Sequence, residues 1–223
     1  MSNCAVSCAR MDIAYPIRAV VPTLDGPVLE VLAHTNRPLS GGEVHRLARS
    51  GSPNGVRLAL ARLAAQGVVH TEERAHAIFY VANREHLAWP AVEILTRLRR
   101  TLIERLRATV AEWQPQPLSA ALFGSLARGD GGAESDVDIL LIRPEDVAED
   151  ADVWSEQVDA LCDRVVAWTG NHCQPLQLDV ARLAAHVQAN DPLIDELRRD
   201  AVPLAGENLE TILRELPAPD SDR

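Results

Sequence analysis

Apolar residues recur at helical spacing early in the chain. Val28, Leu29, Val31 and Leu32 share one face of a predicted helix, with Thr23 or Asp25 as its start signal and Pro27 near its first turn. "PLSGGEVHRLAR" predicts a second helix from Ser40, with Val44 and Leu47 turned inward. A third opens with Ser52 as N-cap and Pro53 at the first helical position, and Gly67 stops it. Around its wheel Val56, Ala59, Leu60 and Leu63 form the inner side, and Asn54, Arg57, Ala61 and Arg62 the outer. The period then changes: "VVHTEERAHAIFYVA" holds two strand-rich segments around a polar turn, which predicts a hairpin. Val92, Leu95, Leu98, Leu102, Leu106 and Val110 return to helical spacing and predict one long helix within 85–114, ended by Pro115 and Pro117.

Shorter apolar runs follow. "LSAALF" and "SDVDILLI" predict strands on either side of a turn at Gly124, where the backbone can bend sharply and approach a ligand closely. Ser125 caps the short helix "LARG", whose first amides attract phosphate, with Arg128 able to add charge. "ADVWSEQVDALCDRVVAWTG" predicts a helix with Val153, Val158, Leu161, Val165 and Val166 as its inner stripe. "PLQLDVARL" then predicts a strand with Asp179 at its end. The whole is an α+β chain with a leader over 1–10, a first domain over 11–84, a linker helix over 85–114, a mixed-sheet domain over 115–216 and a disordered tail over 217–223.

Three helices and a hairpin of this size resemble the winged helix-turn-helix. The resemblance implies that the third helix lies in the major groove of double-stranded DNA, presenting Asn54, Arg57 and Arg62. Arg46, Arg49, Arg74 and His76 would then contact phosphates. Alternatively the domain mediates protein contacts and its arginines are merely solvated. The long helix is either a packed linker or a dimerisation element; DNA-reading winged helices work in pairs, so a homodimer is expected.

Charge supports that division. Residues 1–114 carry 14 arginines against 10 acids, and 115–223 carry 8 against 22, which together make the net charge of −10. A locally basic half can bind phosphate although the whole chain is acidic. No apolar run approaches the ~20 residues that span a bilayer, and the first residues lack the apolar core of a signal peptide, so a cytoplasmic protein without membrane partners is expected. Cys4, Cys8, Cys162 and Cys173 form no C-x-x-C pair, and Cys173 beside His172 is too sparse a ligand set for a metal.

The carboxylates carry the chemistry. Strand alternation turns Asp136 and Asp138 to the same face, with Cα atoms about 6.6 Å apart at roughly 3.3 Å per residue. Two such groups repel unless a cation lies between them, and Mg²⁺ suits carboxylate oxygens plus substrate phosphates. Two ions about 3.5–4 Å apart would stabilise both the entering and the leaving oxygen of a phosphoryl displacement. Asp179 is the expected third carboxylate, brought alongside by a strand–helix–strand spacing.

Gly124-Ser125, Ala127-Arg128-Gly129, Ser135-Asp136-Val137-Asp138 and the later Asp179 resemble the nucleotidyltransferase superfamily that includes DNA polymerase beta, and within it the minimal nucleotidyltransferases of prokaryotes. "DELRRDAVPLAG" is similar to the family's helix-to-strand tail, though Leu204-Ala205 stands where an aromatic is common. The resemblance implies that Gly124, Ser125 and Arg128 bind the triphosphate of an NTP, ATP first among them. It implies that Asp136, Asp138 and Asp179 hold two Mg²⁺ ions and that Asp179 helps deprotonate an acceptor hydroxyl. The short stretch after Asp179 implies an acceptor gripped elsewhere, and the family's toxin–antitoxin members imply a protein side chain or toxin partner. The alternative is a winged-helix transcriptional regulator whose second domain senses nucleotide or serves as an accessory.

Overall fold

The computed structural model describes residues 10–74, 77–148 and 150–216. His76 of the expected wing, Cys4, Cys8, the rest of the expected leader through residue 9 and the expected tail over 217–223 lie outside the described residues. The chain divides into two compact units. One is residues 15–100; the other combines the residues before 15 with those from Thr101 onward.

In the first unit a single 3-10 turn, Pro16–Ala19, precedes α1 (Asp25–Ala33). Then come β1 (Leu39–Ser40), α2 (Gly41–Ala48), α3 (Pro53–Ala65), β2 (Val69–Arg74), β3 (Ala77–Ala82) and α4 (Trp89–Thr96). The strands form an antiparallel sheet ordered β1-β3-β2. Local chemistry fixes the helix starts. Ser40 accepts from the Glu43 amide while the Glu43 side chain accepts from the Ser40 amide, a reciprocal capping box. Ser52 caps α3 through the Gly55 amide with Pro53 at the first position. Val28, Leu32, Val44, Val56, Ala59 and Leu60 form the core of this unit. Leu47, expected to face inward, is 49% exposed; Ala48, one turn after Val44, takes the interior position instead.

The expected single helix over 85–114 is two. α4 ends at Thr96, Arg97 leaves helical geometry at φ −102° and ψ 3°, and α5 (Leu98–Ala111) follows. The cause lies in the stripe itself. Val92 packs in the first unit's core, whereas Leu102, Leu106 and Val110 pack in the second unit's. The α5 part of that stripe is therefore interior and is not left open for a second copy.

The second unit continues with β4 (Ser119–Phe123), α6 (Gly124–Arg128), β5 (Val137–Ile142), α7 (Asp152–Thr169) and β6 (Cys173–Leu178). It closes with α8 (Val180–Gln188), α9 (Pro192–Asp200), β7 (Val202–Gly206) and α10 (Leu209–Glu215). The sheet order is β6-β5-β4-β7, with β5 and β6 parallel and the other pairs antiparallel. A mixed sheet is thus observed. Alternation along β5 sends Val137, Ile139 and Leu141 into a core with α5 and α7, and Leu140 and Ile142 into a core with α8, α9 and α10.

Two assignments shift. Val153, expected on the inner stripe of α7, is 53% exposed, and Trp154 is fully buried in its place. The indole fills that position better: it meets Trp113 edge to face at 5.4 Å and donates from Nε1 to Gln177 Oε1 at 2.7 Å. Residues 10–14 pack with the second unit and do not open the first. Ile13 is fully buried there, and the Met11 amide donates to the Thr169 carbonyl at 3.0 Å. Among the described residues no helix is long and apolar enough to cross a membrane.

Trp154→Ala empties a fully buried site and leaves Gln177 without its donor. Urea denaturation is expected to show a loss of about 3–5 kcal/mol.

Candidate active site

β4 delivers the chain to Gly124, the first residue of α6, at φ +68°. A side chain is excluded there: a Cβ at 124 would overlap Asp138 Oδ2 and lie 3.1 Å from Asp138 Cγ. Across the ladder Asp138 pairs with Phe123, so the carboxylate lies against the bend itself. The Ser125 carbonyl accepts from the Gly129 and Asp130 amides at 2.9 and 3.1 Å, folding the next segment back over α6. Gly131 is crowded too; a Cβ there would come within 2.8 Å of Ser125 Oγ and Ile13.

Asp136 and Asp138 share the face of β5 that continues into buried Leu140 and Ile142. Asp138 is therefore half-withdrawn from water. Burial pushes its carboxyl above the ordinary aspartate value, the Asp136 and Glu196 charges push it further, and Arg128 opposes. Asp136 Oδ1 is buried and has no hydrogen-bond partner among the described residues. The Arg10 guanidinium lies 3.8 Å from it, near enough for an ion pair but not for a hydrogen bond. Asp136 Oδ2 accepts from Gln174 Nε2 at 3.4 Å.

Asn171, fully buried, holds this loop and escaped the sequence reading. Its Nδ2 donates to the carbonyls of Met11, Ala133 and Ser135, and its Oδ1 accepts from the Met11 amide. Arg10 was also missed, having been assigned to the leader. Its partners Glu134 and Asp136 lie more than a hundred residues away, beyond any local signal.

Asp179 does not join the pair. β5 and β6 run parallel with Asp138 opposite Gln174 and Ile142 opposite Leu178. Asp179 follows Leu178 and so lies at the far end, about 16 Å along the strand from Gln174 at ~3.3 Å per residue. There it caps α8 through the Arg182 amide at 2.7 Å and pairs with Arg143 at 3.5 Å. Arg128 is also engaged elsewhere, with Glu196 at 2.7 Å, Asp130 at 3.1 Å and Asp200 at 3.4 Å.

Among the described residues no three acidic, histidine or cysteine side chains are placed to hold a metal together. The Asp136–Asp138 pair nonetheless fits a cation bound with substrate phosphates. It offers two carboxylates on one face, one buried oxygen lacking a donor, and a glycine bend whose missing side chain lets Asp138 lie against backbone. Cys173 takes no part: its thiol is pushed up, first by burial, and it lies against Cys162.

In the first unit Arg46, Arg49, Asn54, Arg57, Arg62 and Arg74 are all exposed. Arg62 is bound to Asp25 at 3.0 Å, and Arg74 is bound to Glu72. Arg57 donates to Asn54 Oδ1 at 2.9 Å. Among the described residues Arg46, Arg49 and Arg57 form no ion pair, and Arg49 ends α2 in left-handed geometry at φ 47°.

Residues 103–201, which include the glycine bend and both aspartates, match the nucleotidyltransferase domain family. That match supports a nucleotidyl-transferring enzyme. None of the curated proteins matches the chain. Two solved structures show faint likeness. One is a toxin–antitoxin complex with AMP-PNP, at 16% identity over 52% of this chain and 78% of that one, with a TM-score of 0.32. The other is human N-acetylserotonin methyltransferase in complex with SAM, at 22% identity over 42% of this chain and 31% of that one, with a TM-score of 0.27. TM-scores this low carry no argument about either unit.

Because Asp138 binds its proton more tightly folded than unfolded, its charge lowers stability as pH rises above the ordinary aspartate value of 3.8. Asp138→Asn is expected to raise the melting temperature of the metal-free protein at pH 7. The gain should fade as pH falls from the raised value of Asp138 toward 3.8 and be largely gone below it, as read by thermal denaturation across pH.

Proposed function

We propose that the second unit transfers a nucleoside monophosphate from an NTP, ATP first among candidates, to a hydroxyl acceptor. The observation that carries this reading is Asp138 seated against the side-chain-free bend at Gly124, with Asp136 on the same face two residues before it. Asp136 and Asp138 would hold Mg²⁺, and Gly124 and Ser125 would give the triphosphate close access to backbone. When bound, the ion supplies charge neutralisation on the phosphates as the acceptor oxygen bonds to the α-phosphorus and pyrophosphate departs. Gln174 and Arg10 orient Asp136 through the contacts described above. Asp179 is not given the role of base, since it caps α8 at the opposite strand end. A protein side chain is the acceptor class favoured by the resemblance to minimal nucleotidyltransferases, in a setting like that of toxin–antitoxin pairs.

The first unit is read as a winged helix that binds double-stranded DNA as part of a homodimer. The order of its elements, helix, short strand, two helices and hairpin, supports this. So do the three arginines not spent on acids, Arg46, Arg49 and Arg57, around the end of α2 and the start of α3. Arg62 and Arg74 would have to leave Asp25 and Glu72 to reach phosphate, which makes them weaker contributors.

With α-labelled ATP, Mg²⁺ and co-expressed neighbouring proteins, Asp136→Asn and Asp138→Asn are each expected to lower label incorporation at least 100-fold. Equal label in wild type and variants removes the enzymatic reading. In a gel shift with the protein's own promoter, Arg57→Ala is expected to weaken binding about tenfold and to lower the salt slope by about one. Arg74→Ala should do less; indifference to Arg57→Ala counts against DNA reading by α3.

A further inference from the structure

We infer that Gln174 limits this site to one divalent cation per nucleotide, where a third carboxylate would admit two; the inference rests on the proposed nucleotidyl transfer. Register is the first ground. In the parallel β5–β6 pair Gln174 stands directly opposite Asp138, and residues opposite one another in a ladder share a face. Its amide reaches Asp136 Oδ2, so the side chain does turn toward the pair. It is therefore the β6 residue placed to complete a carboxylate cluster, and it is neutral. Asp179 cannot substitute from the other end of the strand; Glu196 is near enough to act on Asp138 by its charge, but among the described residues no third acid is placed to hold a metal with the pair.

Charge is the second ground. Two divalent ions about 3.5–4 Å apart repel strongly and are held together by surrounding anionic ligands. Here the sheet supplies two carboxylates, and the Arg10 guanidinium already stands 3.8 Å from one of them. A second ion next to Asp136 would meet that cation with no added anion from β6. One ion sharing Asp136, Asp138 and the substrate phosphates satisfies the pair, which accords with the small number of carboxylates Mg²⁺ commonly takes from protein. Gln174 is then a positioning residue: it steadies Asp136 by a hydrogen bond and withholds the charge a second ion needs.

The test counts ions and does not depend on turnover. Full-length protein saturated with a non-hydrolysable ATP analogue is titrated with Mn²⁺, and bound ions per chain are read by electron paramagnetic resonance. Wild type is expected to bind one, and Gln174→Ala one. Gln174→Glu, which is isosteric and adds the missing charge, is expected to bind two, with Gln174→Asp as the shorter second variant. Two ions in the wild type overturn the inference while leaving nucleotidyl transfer intact. A single ion in both acidic variants overturns the role given to Gln174. No protein-bound Mn²⁺ and no bound analogue in the wild type would sink the proposed function and this inference with it.

Discussion

Asp138 is pressed against backbone at Gly124, and that contact organises the second unit. A carboxylate at this depth needs a neighbour without a side chain, so the bend after β4 must be glycine in left-handed geometry. The same bend starts α6, sets where the loop over 129–135 returns, and aligns β5 so that Asp136 and Asp138 lead an otherwise apolar row. Burial then disfavours the charged form of Asp138. A polar group held in so poor a solvent needs compensation, and the charge of Arg128 supplies only part of it, since the net effect still favours the protonated form.

Much of this was legible because the signals were local. Ser40 with Glu43, and Ser52 with Pro53, announce their helices within four residues. The glycine bend and the two aspartates lie close together in sequence, and alternation alone puts both carboxylates on one face. Errors of one position, Leu47 for Ala48 and Val153 for Trp154, arise because a helical wheel tolerates a rotation that the packed core does not. Asp179 failed for a different reason. A strand–helix–strand crossover gives parallel strands, so the residue after the second strand lies a full strand length from the residue before the first. That consequence could have been drawn from the sequence. Arg10, Asn171 and Gln174 could not, since each depends on pairing across loops whose closure no short pattern encodes.

The arginines show how composition misleads without geometry. Six residues of the first unit share an exposed position and the chemistry to meet DNA. Structure divides them into those already satisfied by acids, Arg62 and Arg74, and those without an ion pair, Arg46, Arg49 and Arg57. Exposed ion pairs are weak, generally no more than about 1 kcal/mol, so the engaged pair could be recruited at modest cost. The distinction is one of degree, and it ranks positions that sequence alone leaves equal.

Asn171 grips Met11 across 160 residues of chain. During translation at ~5–20 residues per second, the segment around Met11 leaves the ribosome on the order of ten to thirty seconds before its partner exists. All of residues 15–100 is made within that interval and can fold first. The unit that carries the aspartates cannot close until the intervening residues have been made, and it must then join its own amino-terminal piece across them.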